Sequence, residues 1–218
     1  MTCAILIPSL NRSHRLIETL VHIRQNTPED YLVVFCVSDS ASVSILEALG
    51  ERYINDFDDP DQRYVTRMNK LVRHPDVLGS ETIFFGSDDV IHRPGWLGAA
   101  LRAMESADLV VVNDLHNPNG TQALMKTSYL PRAVFDSAGD AFHAGYHHNF
   151  ADNEQHFTAW KRGQYVRAMG SIVEHLHPVF QGENAMPWDS TYAQAQVGWS
   201  HDEDLFRERA ALIDSAIA

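Results

Sequence analysis

Residues 83–90 read IFFGSDDV, an apolar run that ends in two adjacent carboxylates, Asp88 and Asp89. Such a run is typical of a buried strand, and in an open α/β sheet the carboxyl ends of the strands face the ligand crevice. Because neighbouring carboxylates repel each other, the pair favours a cation between them. Mg²⁺ and Mn²⁺ prefer carboxylate oxygens and often also bind substrate phosphates. The segment predicts a metal–diphosphate site, with a solvated turn after a core strand as the alternative.

The composition limits the classes of protein that fit. The chain has 218 residues and 44% hydrophobic content, which is enough for a substantial core. Its formal net charge of −12 opposes nonspecific attraction to nucleic acid or to an anionic membrane. Cys3 and Cys36 lie in apolar runs and are expected to be reduced, as in a cytoplasmic protein. No apolar run approaches the length of a membrane span, so none is expected.

Strand-like and helix-like patterns alternate in the first half of the chain. Apolar runs predict buried strands at 3–7, 32–37, 82–86 and 109–112. Capping signals and helical periodicity predict helices from 13, over 42–49, over 64–72 and from 94 to about 104. Ser13 is the expected cap of the first helix. Repeated strand–helix units predict a parallel sheet with helices on both faces.

The second half is less regular. Residues 114–150 are expected to be loops with short strands at most, followed by a helix over 152–162 and strands at 165–168 and 172–175. Ser200 and Glu203 have the spacing of a capping box for a final helix. No linker or repeat divides the chain, so we expect a single domain over 1–218. Its expected parts are a nucleotide-binding half (1–90), an acceptor-binding half (91–200) and a C-terminal helix (201–218).

Polar residues come directly after three of the predicted strands, which would place them at one edge of the sheet. They are 8–12 (PSLNR), 38–40 (SDS) and 87–89 (SDD). Loop amides, hydroxyls and Arg12 suit a phosphate, and Asp39 could accept from a base N–H, although a plain turn is the alternative for 38–40. No Gly-x-Gly-x-x-Gly occurs after the first strand and no Walker sequence is present, which counts against a dinucleotide dehydrogenase or a P-loop enzyme.

In their order, these motifs resemble those of the family-2-like glycosyltransferases of GT-A fold, over most of residues 2–178. In that family the first strand runs into a turn like 8–12, and the second ends in an Asp such as Asp39. A later strand ends in Asp-x-Asp, with Pro-Gly-Trp soon after it, here 94–96. An acidic motif that opens a helix, here 152–154, and a strand ending in His complete the resemblance. It implies a Rossmann-like α/β fold with a mixed, mostly parallel sheet and helices on both faces.

The resemblance also implies roles for individual residues. Asp89 is the expected main metal ligand, with Asp88 as a helper or ribose contact, because Ser87 occupies the first position of Asp-x-Asp. One or both of His175 and His177 are expected to complete the site for Mn²⁺ or Mg²⁺. The residues expected to bind the nucleotide diphosphate are Pro8, Ser9, Asn11, Arg12, Asp39, Arg67, Asn69, Lys70 and Asp88.

The implied activity is that of a metal-dependent inverting glycosyltransferase, which moves a sugar from a nucleotide-diphosphate donor, expected to be a UDP-sugar, to an acceptor hydroxyl. Asp152 is the expected base, at a helix start where an anion is favoured, and Glu154 is the fallback. A helix cap without catalysis is the alternative for Asp152. A saccharide is the first expected acceptor, and a protein or a modified nucleic acid stays open. The rival functions are a nucleotidyltransferase of related fold and a noncatalytic nucleotide-sugar-binding protein.

Three further features have simpler interpretations. His143, His147 and His148 lie in a Gly-containing loop that either lines an acceptor pocket or is solvated, and His147-His148 lacks the spacing of a zinc protease site. The acidic run at 56–61 lacks the Gly and Glu of a calcium loop and is expected to be solvated. Three aromatic residues of the tail are expected to pack against the core: Trp188, Tyr192 and Trp199.

Overall fold

Eight strands form one sheet in the part of the chain that the computed structural model describes, residues 2–117, 119–180 and 185–217. The strands are β1 (Cys3–Ser9), β2 (Tyr31–Val37), β3 (Arg52–Asn55), β4 (Thr82–Phe85), β5 (Val90–His92), β6 (Leu109–Asn113), β7 (Ala123–Lys126) and β8 (Tyr165–His175). Their order across the sheet is β3-β2-β1-β4-β7-β6-β8-β5.

The helices connect these strands and cover the sheet. They are α1 (Ser13–Asn26), α2 (Ser40–Leu49), α3 (Tyr64–Val72), α4 (Pro75–Leu78), α5 (Trp96–Ala103), α6 (Ala151–Lys161), α7 (Ser190–Val197) and α8 (Trp199–Ala216). Short 3₁₀ turns lie at Met104–Ser106, Thr127–Arg132 and Pro178–Phe180. Among the described residues, no helix is both long enough and apolar enough to cross a membrane.

The sheet is mixed, as the resemblance to GT-A enzymes implies, and not purely parallel as the strand–helix alternation alone predicts. β1 pairs in parallel with β2 and β4, and β6 pairs in parallel with β8. β7 lies antiparallel between β4 and β6, and β5 is antiparallel to β8. Two antiparallel steps, from β4 to β7 and from β7 to β6, restore the original direction. The carboxyl ends of β1, β2, β4 and β8 therefore lie at the same edge of the sheet.

Both faces of the sheet are buried, because alternate residues of each strand pack into different cores. In β1, Cys3, Ile5 and Ile7 belong to one core and Ala4 and Leu6 to the other. The first core also takes apolar residues of α1, α2 and α5, and the second takes those of α3, α4 and α6. Continuous apolar strands are the pattern that such two-sided burial requires.

Several boundaries differ from the sequence-based expectations. The strands expected at 165–168 and 172–175 are one strand, β8, whose pairing with β6 shifts register between Val112 and Asn113. The final helix covers Trp199–Ala216, with Gly198 and not Ser200 at its N-cap. Ser13 is already inside α1, where Arg12 holds the N-cap position without a side-chain cap bond. A pattern of residue types locates a helix more reliably than it locates the ends.

Candidate functional site

A cavity of about 950 Å³ opens at the carboxyl edge of the sheet. β1, β4 and β8 deliver residues to its wall, and α3, α6 and α7 supply others. Its lining includes several of the residues expected to bind metal or substrate, namely Pro8, Arg12, Arg67, Asp88, Asp89, Asp152, His175 and His177. Of the three polar segments expected at one edge of the sheet, 8–12 and 87–89 line the cavity, whereas 38–40 lies at the same edge outside its wall.

Asp88 is buried and accepts from two donors, one at the end of β1 and one in the turn that follows it. The Ser9 hydroxyl donates to Asp88 Oδ2 at 2.7 Å, and Arg12 Nη1 donates to Asp88 Oδ1 at 2.9 Å. Asn11 lies between these two donors with a left-handed backbone, φ 55°, which Asn tolerates better than most residues. This turn therefore directs both Ser9 and Arg12 to the same carboxylate.

Asp89 has partners from three separate parts of the chain. The hydroxyls of Ser87 and Tyr192 donate to it at 2.6 and 2.9 Å. His175 Nε2 lies 3.4 Å from Asp89 Oδ2, and Arg12 Nη1 lies 3.7 Å from the same oxygen. Asp89 is therefore a buried anion surrounded by donors, with an imidazole from β8 on one side.

Burial and neighbouring charges separate the two carboxylates. Burial raises the pKa of Asp88, and the adjacent Asp89 adds to this rise while Arg12 opposes it. Burial also acts to raise the pKa of Asp89, but His175, Ser87 and Arg12 together lower it well below its ordinary value. Burial acts to lower the pKa of His175, but Asp89 outweighs burial and the net shift is upward. Asp89 is thus the carboxylate that stays ionised most readily, which a metal ligand requires.

The donor set at Asp89 fits a divalent cation. The 3.4 Å between Asp89 Oδ2 and His175 Nε2 is close to the spacing of about 3 Å between neighbouring ligands at metal–ligand distances near 2.1 Å. The His177 ring lies 5.6 Å from the His175 ring, centroid to centroid, and His177 Nδ1 accepts from the Val179 N–H at 3.2 Å. Asp89 and His175 are therefore the pair best placed to hold an ion.

Asp152 and Glu154, the candidate bases, lie in different surroundings. Asp152 is in the first turn of α6 and lines the cavity, where burial raises its pKa to about 6. Glu154 is buried away from the cavity wall, where it accepts from Tyr146 Oη at 2.8 Å and from Arg209 Nε at 2.5 Å. Of the two carboxylates, only Asp152 can meet a substrate in the cavity.

The other residues expected to bind nucleotide do not line the cavity. Asp39 is the N-cap of α2 and accepts from the Ser42 N–H at 2.8 Å and from its hydroxyl at 2.6 Å. Asn69 is buried, and its side chain bonds to the backbone of Phe142 and Ala141.

Lys70 pairs with Asp56 and Asp59 outside the cavity wall. Asp56 also accepts from Arg67 Nε at 3.2 Å and is only 3% exposed. The expectation of a fully solvated acidic run at 56–61 is therefore wrong at Asp56. The Asp56 carboxylate neutralises Arg67 and Lys70 of α3, and it holds the Nε atom of Arg67.

The tail contributes two site residues that the sequence does not reveal. Asp189 accepts from Arg12 Nε and Nη2 at 2.8 and 3.0 Å, and also caps α7. The Arg12 guanidinium lies 4.3 Å from the centre of the Tyr192 ring, whose hydroxyl reaches Asp89. The capping sequence Asp189-Ser190 predicts a helix start, but no local pattern connects it with Arg12, 177 positions earlier.

The expected packing of the tail aromatics holds for Tyr192 alone. Tyr192 is buried at the site, whereas Trp188 and Trp199 are about half exposed. Trp199 lines the cavity together with Tyr64, Phe150 and His148. Burial lowers the pKa of His148 to about 4, so this imidazole is neutral near pH 7. The far wall of the cavity is thus built of rings and offers flat, weakly polar surface.

Comparison with known proteins defines the fold. No protein-family model and no curated protein matches the chain. It is similar to a mannosyltransferase from Pyrobaculum calidifontis, solved with GDP-Man and Mn²⁺, with a TM-score of 0.64 at 13% identity over 80% of this chain and 57% of that chain. It is also similar to glucosyl-3-phosphoglycerate synthase from Mycobacterium tuberculosis, solved with Mn²⁺, UDP-glucose and phosphoglyceric acid. The TM-score is 0.59 at 13% identity, over 96% of this chain and 80% of that chain.

These likenesses show that the chain has the GT-A fold of nucleotide-sugar glycosyltransferases. At such low identity, they define the arrangement of strands and helices and not the reaction. The chain spans little more than half, 57%, of the length of the Pyrobaculum enzyme.

Proposed function

We propose that the chain is a metal-dependent glycosyltransferase that uses a nucleotide-diphosphate sugar. One observation carries the proposal. Two buried carboxylates at the end of β4 and an imidazole at the end of β8 meet in a cavity whose wall also holds a carboxylate with a raised pKa. A metal–diphosphate site and a general base in one cavity are what sugar transfer from a diphosphate requires. The two similar enzymes, each solved with Mn²⁺ and a nucleotide sugar, support the same assignment.

Asp89 and His175 would hold Mn²⁺ or Mg²⁺, with His177 as the next candidate ligand. A bound cation there supplies Lewis acidity, which stabilises the negative charge on the departing nucleoside diphosphate. Arg12 and Arg67 line the same cavity and add positive charge near the phosphates. Asp88 keeps Arg12 in place through the 2.9 Å bond and serves as the helper or ribose contact.

Asp152 is the proposed general base. It would take the proton from the acceptor hydroxyl while that oxygen attacks the anomeric carbon from the face opposite the diphosphate, which inverts the configuration. The transition state is oxocarbenium-like, as in glycoside hydrolysis. A base works best when its pKa lies near the working pH, and a value of about 6 satisfies this condition.

We keep uridine as the proposed donor base and a saccharide as the proposed acceptor. Asp39 would accept from the uracil N–H while it caps α2. The ring-lined far wall of the cavity suits a sugar, because sugars stack on aromatic faces.

We also propose that the chain is divided into a nucleotide-binding half (1–90) and an acceptor-binding half (91–200). A cytoplasmic location fits Cys3 and Cys36, which are both free and buried.

The test is a screen of UDP-, GDP- and dTDP-sugars for hydrolysis or transfer, with Mn²⁺ and with EDTA. We expect turnover of at least one donor with Mn²⁺ and its loss with EDTA. Asp89→Asn should remove turnover, and Asp59→Asn, outside the cavity, is the matched control. Metal-dependent donor binding without turnover by any acceptor or by water would instead favour the noncatalytic binding protein.

The contact of Asp39 with the uracil ring needs a separate experiment, because Asp39 also caps α2 and the two roles have to be distinguished. Asp39→Ser keeps a good N-cap residue but shortens the side chain, whereas Asp39→Ala removes the cap as well. If Asp39 contacts the uracil base of the donor, both variants should weaken UDP binding by about 1–3 kcal/mol. Unchanged UDP affinity in Asp39→Ser would limit Asp39 to its role as a helix cap.

A further inference from the structure

Three side chains converge at the mouth of the cavity, on the side of α8. Asp202 Oδ1 lies 3.3 Å from His147 Nδ1 and 3.1 Å from His201 Nδ1, and the two imidazole centroids are 4.5 Å apart. One ligand atom from each residue lies within 4.8 Å of the others. His147 belongs to the loop before α6, whereas His201 and Asp202 are in the first turn of α8. The cluster therefore joins the loop before α6 to the first turn of α8.

The two nitrogen–oxygen spacings match those of a metal coordination shell. Neighbouring ligands of an ion with bonds of about 2.0–2.1 Å lie roughly 3.0–3.4 Å apart in octahedral or tetrahedral geometry. Both nitrogen–oxygen distances, 3.3 and 3.1 Å, fall in this range. Two imidazoles and one carboxylate form a donor set that suits borderline divalent transition ions such as Zn²⁺.

The carboxylate is held rigidly by partners of its own. Asp202 Oδ2 accepts from the N–H groups of His148 and Asn149 at 2.9 and 2.8 Å, and Oδ1 accepts from the His147 N–H at 2.9 Å. The Asp202 side chain is 0% exposed. Such outer contacts orient a metal ligand before the ion binds.

Asp202 Oδ1 has more nitrogen atoms within hydrogen-bond distance than it has lone pairs. Three nitrogens approach this one oxygen: the His147 N–H at 2.9 Å, His201 Nδ1 at 3.1 Å and His147 Nδ1 at 3.3 Å. A carboxylate oxygen has lone pairs for about two donors. A cation that bound Oδ1 and the two imidazoles would leave the backbone hydrogen bond to His147 in place.

We propose that His147, His201 and Asp202 form a second metal site, which takes Zn²⁺ or a similar ion. The His147 and His201 side chains are 43% and 55% exposed and both line the cavity. The remaining coordination positions are therefore open to water or to an oxygen of a ligand in the cavity, as in zinc sites with three protein ligands. The site shares no residue with the Asp89 site, and its existence does not depend on the proposed transfer reaction.

The test uses the full-length chain, stripped with a chelator, with Zn²⁺ alone as the probe. Asp89→Asn serves as the background in every titration, because it removes the carboxylate ligand of the other site. Calorimetry of Asp89→Asn should give one Zn²⁺ per chain. Addition of His201→Gln should weaken this binding by at least about 100-fold, the range that loss of a ligand or its support costs. His22→Gln, an imidazole on α1 outside the cavity wall, is the matched control and should leave it unchanged.

The absorption spectrum of bound Co²⁺ gives a second readout of the proposed site, independent of the Zn²⁺ affinity. Co²⁺ in the same Asp89→Asn background should show visible d–d absorption of four- or five-coordinate cobalt, and His201→Gln should abolish it. Circular dichroism melts would verify that His201→Gln is folded, which its exposed position favours. The proposal is overturned if Asp89→Asn binds no Zn²⁺, or if His201→Gln and His22→Gln bind it equally. Neither outcome bears on sugar transfer, which is assayed with Mn²⁺ at Asp89.

Discussion

Asp152 and Glu154 are two residues apart on α6, yet their side chains meet different surroundings. Asp152 faces the cavity, and burial raises its pKa to about 6, although backbone N–H groups and His175 oppose the rise. Glu154 points into the core, where the Arg209 guanidinium and the Tyr146 hydroxyl hold it. A general base needs both reach and a suitable pKa. The two carboxylates can therefore be told apart by substitutions that remove charge and keep shape.

Asp152→Asn should reduce sugar transfer by about 10²-fold or more, because the amide cannot accept the acceptor proton. Donor affinity and folding should stay near wild type, since Asn is also a good residue for the start of a helix. Initial rates with the identified donor, or donor hydrolysis in its place, and UDP binding by calorimetry would measure the two effects. Full activity in Asp152→Asn would remove Asp152 from the mechanism.

The raised pKa of Asp152 gives a pH dependence with a definite sign. Because a base must be unprotonated, kcat/KM should rise with pH and level off above about pH 6. Ionisation of Asp152 should lower the stability of the fold over the same pH range in which it raises activity. Between its ordinary pKa of 3.8 and about 6, the folded state binds more protons than the unfolded state, so this contribution to stability falls as pH rises. The difference in unfolding free energy between wild type and Asp152→Asn, measured in urea from pH 4 to 7, should show this fall, because it cancels the contributions of the other titrating groups.

At the scale of elements, α7 packs against the proposed metal site. Asp189 of the N-cap binds Arg12, and Tyr192 in the first turn donates to Asp89 at 2.9 Å. Asp189 thus pairs with an Arg12 guanidinium that could bind the diphosphate, and Tyr192 occupies an Asp89 oxygen that could bind the ion. The helix thus lies beside the acidic pair, and an ion at Asp89 has to replace the Tyr192 hydrogen bond or share the same oxygen.

Tyr192→Phe should tighten binding of Mn²⁺ with UDP, because Asp89 then has one donor fewer to exchange. A hydrogen bond to a charged group is worth about 1.5–3 kcal/mol, which sets the upper limit at roughly 10- to 100-fold. Calorimetry with Mn²⁺ and UDP would measure the change. Tyr53, whose hydroxyl donates to Glu47 outside the cavity wall, offers Tyr53→Phe as a control. Weaker binding in Tyr192→Phe would mean that the hydroxyl supports the bound state instead.

The contact between α6 and α8 includes a buried ion pair between Arg209 and Glu154. Arg209 donates to both oxygens of Glu154 at 2.5 and 2.9 Å and to Asp136 at 2.8 and 3.1 Å. Removing one partner of a buried pair leaves an unpaired charge and costs about 3–5 kcal/mol. Arg209→Met should therefore lower the free energy of unfolding by about this amount. Arg207→Met, on the exposed side of α8, should change it by less than about 0.5 kcal/mol in the same urea titration.

Over the whole molecule, the sequence predicts those features that depend on local patterns. Apolar runs locate β1, β2, β4 and β6, and the polar residues after them identify the edge where the cavity lies. The antiparallel β7 gives no such signal, because four residues in a loop-rich segment are too few for a period to be seen. The contacts of Tyr192 with Asp89 and of His147 with Asp202 join residues 103 and 55 positions apart. Such pairings depend on how the tail crosses the finished sheet, so no window of sequence contains them.

The residues proposed to bind the metal and the nucleotide come from distant parts of the chain, so their ligands should stabilise the whole fold. Asp89 comes after β4, His175 ends β8, and α7 packs over both, so a bound metal–nucleotide would be lost on global unfolding. At a concentration 100 times Kd, a ligand of the folded state adds about 2.7 kcal/mol. For a chain of this size, that corresponds to a rise in Tm of roughly 5–10 °C. Thermal melts should show this rise with Mn²⁺ and UDP together and a smaller one with either alone, and in Asp89→Asn the two together should raise the Tm no more than UDP alone. An equal rise with UDP in the presence of EDTA would show that the nucleotide binds without the ion, and the roles of Asp89 and His175 as metal ligands would then be wrong.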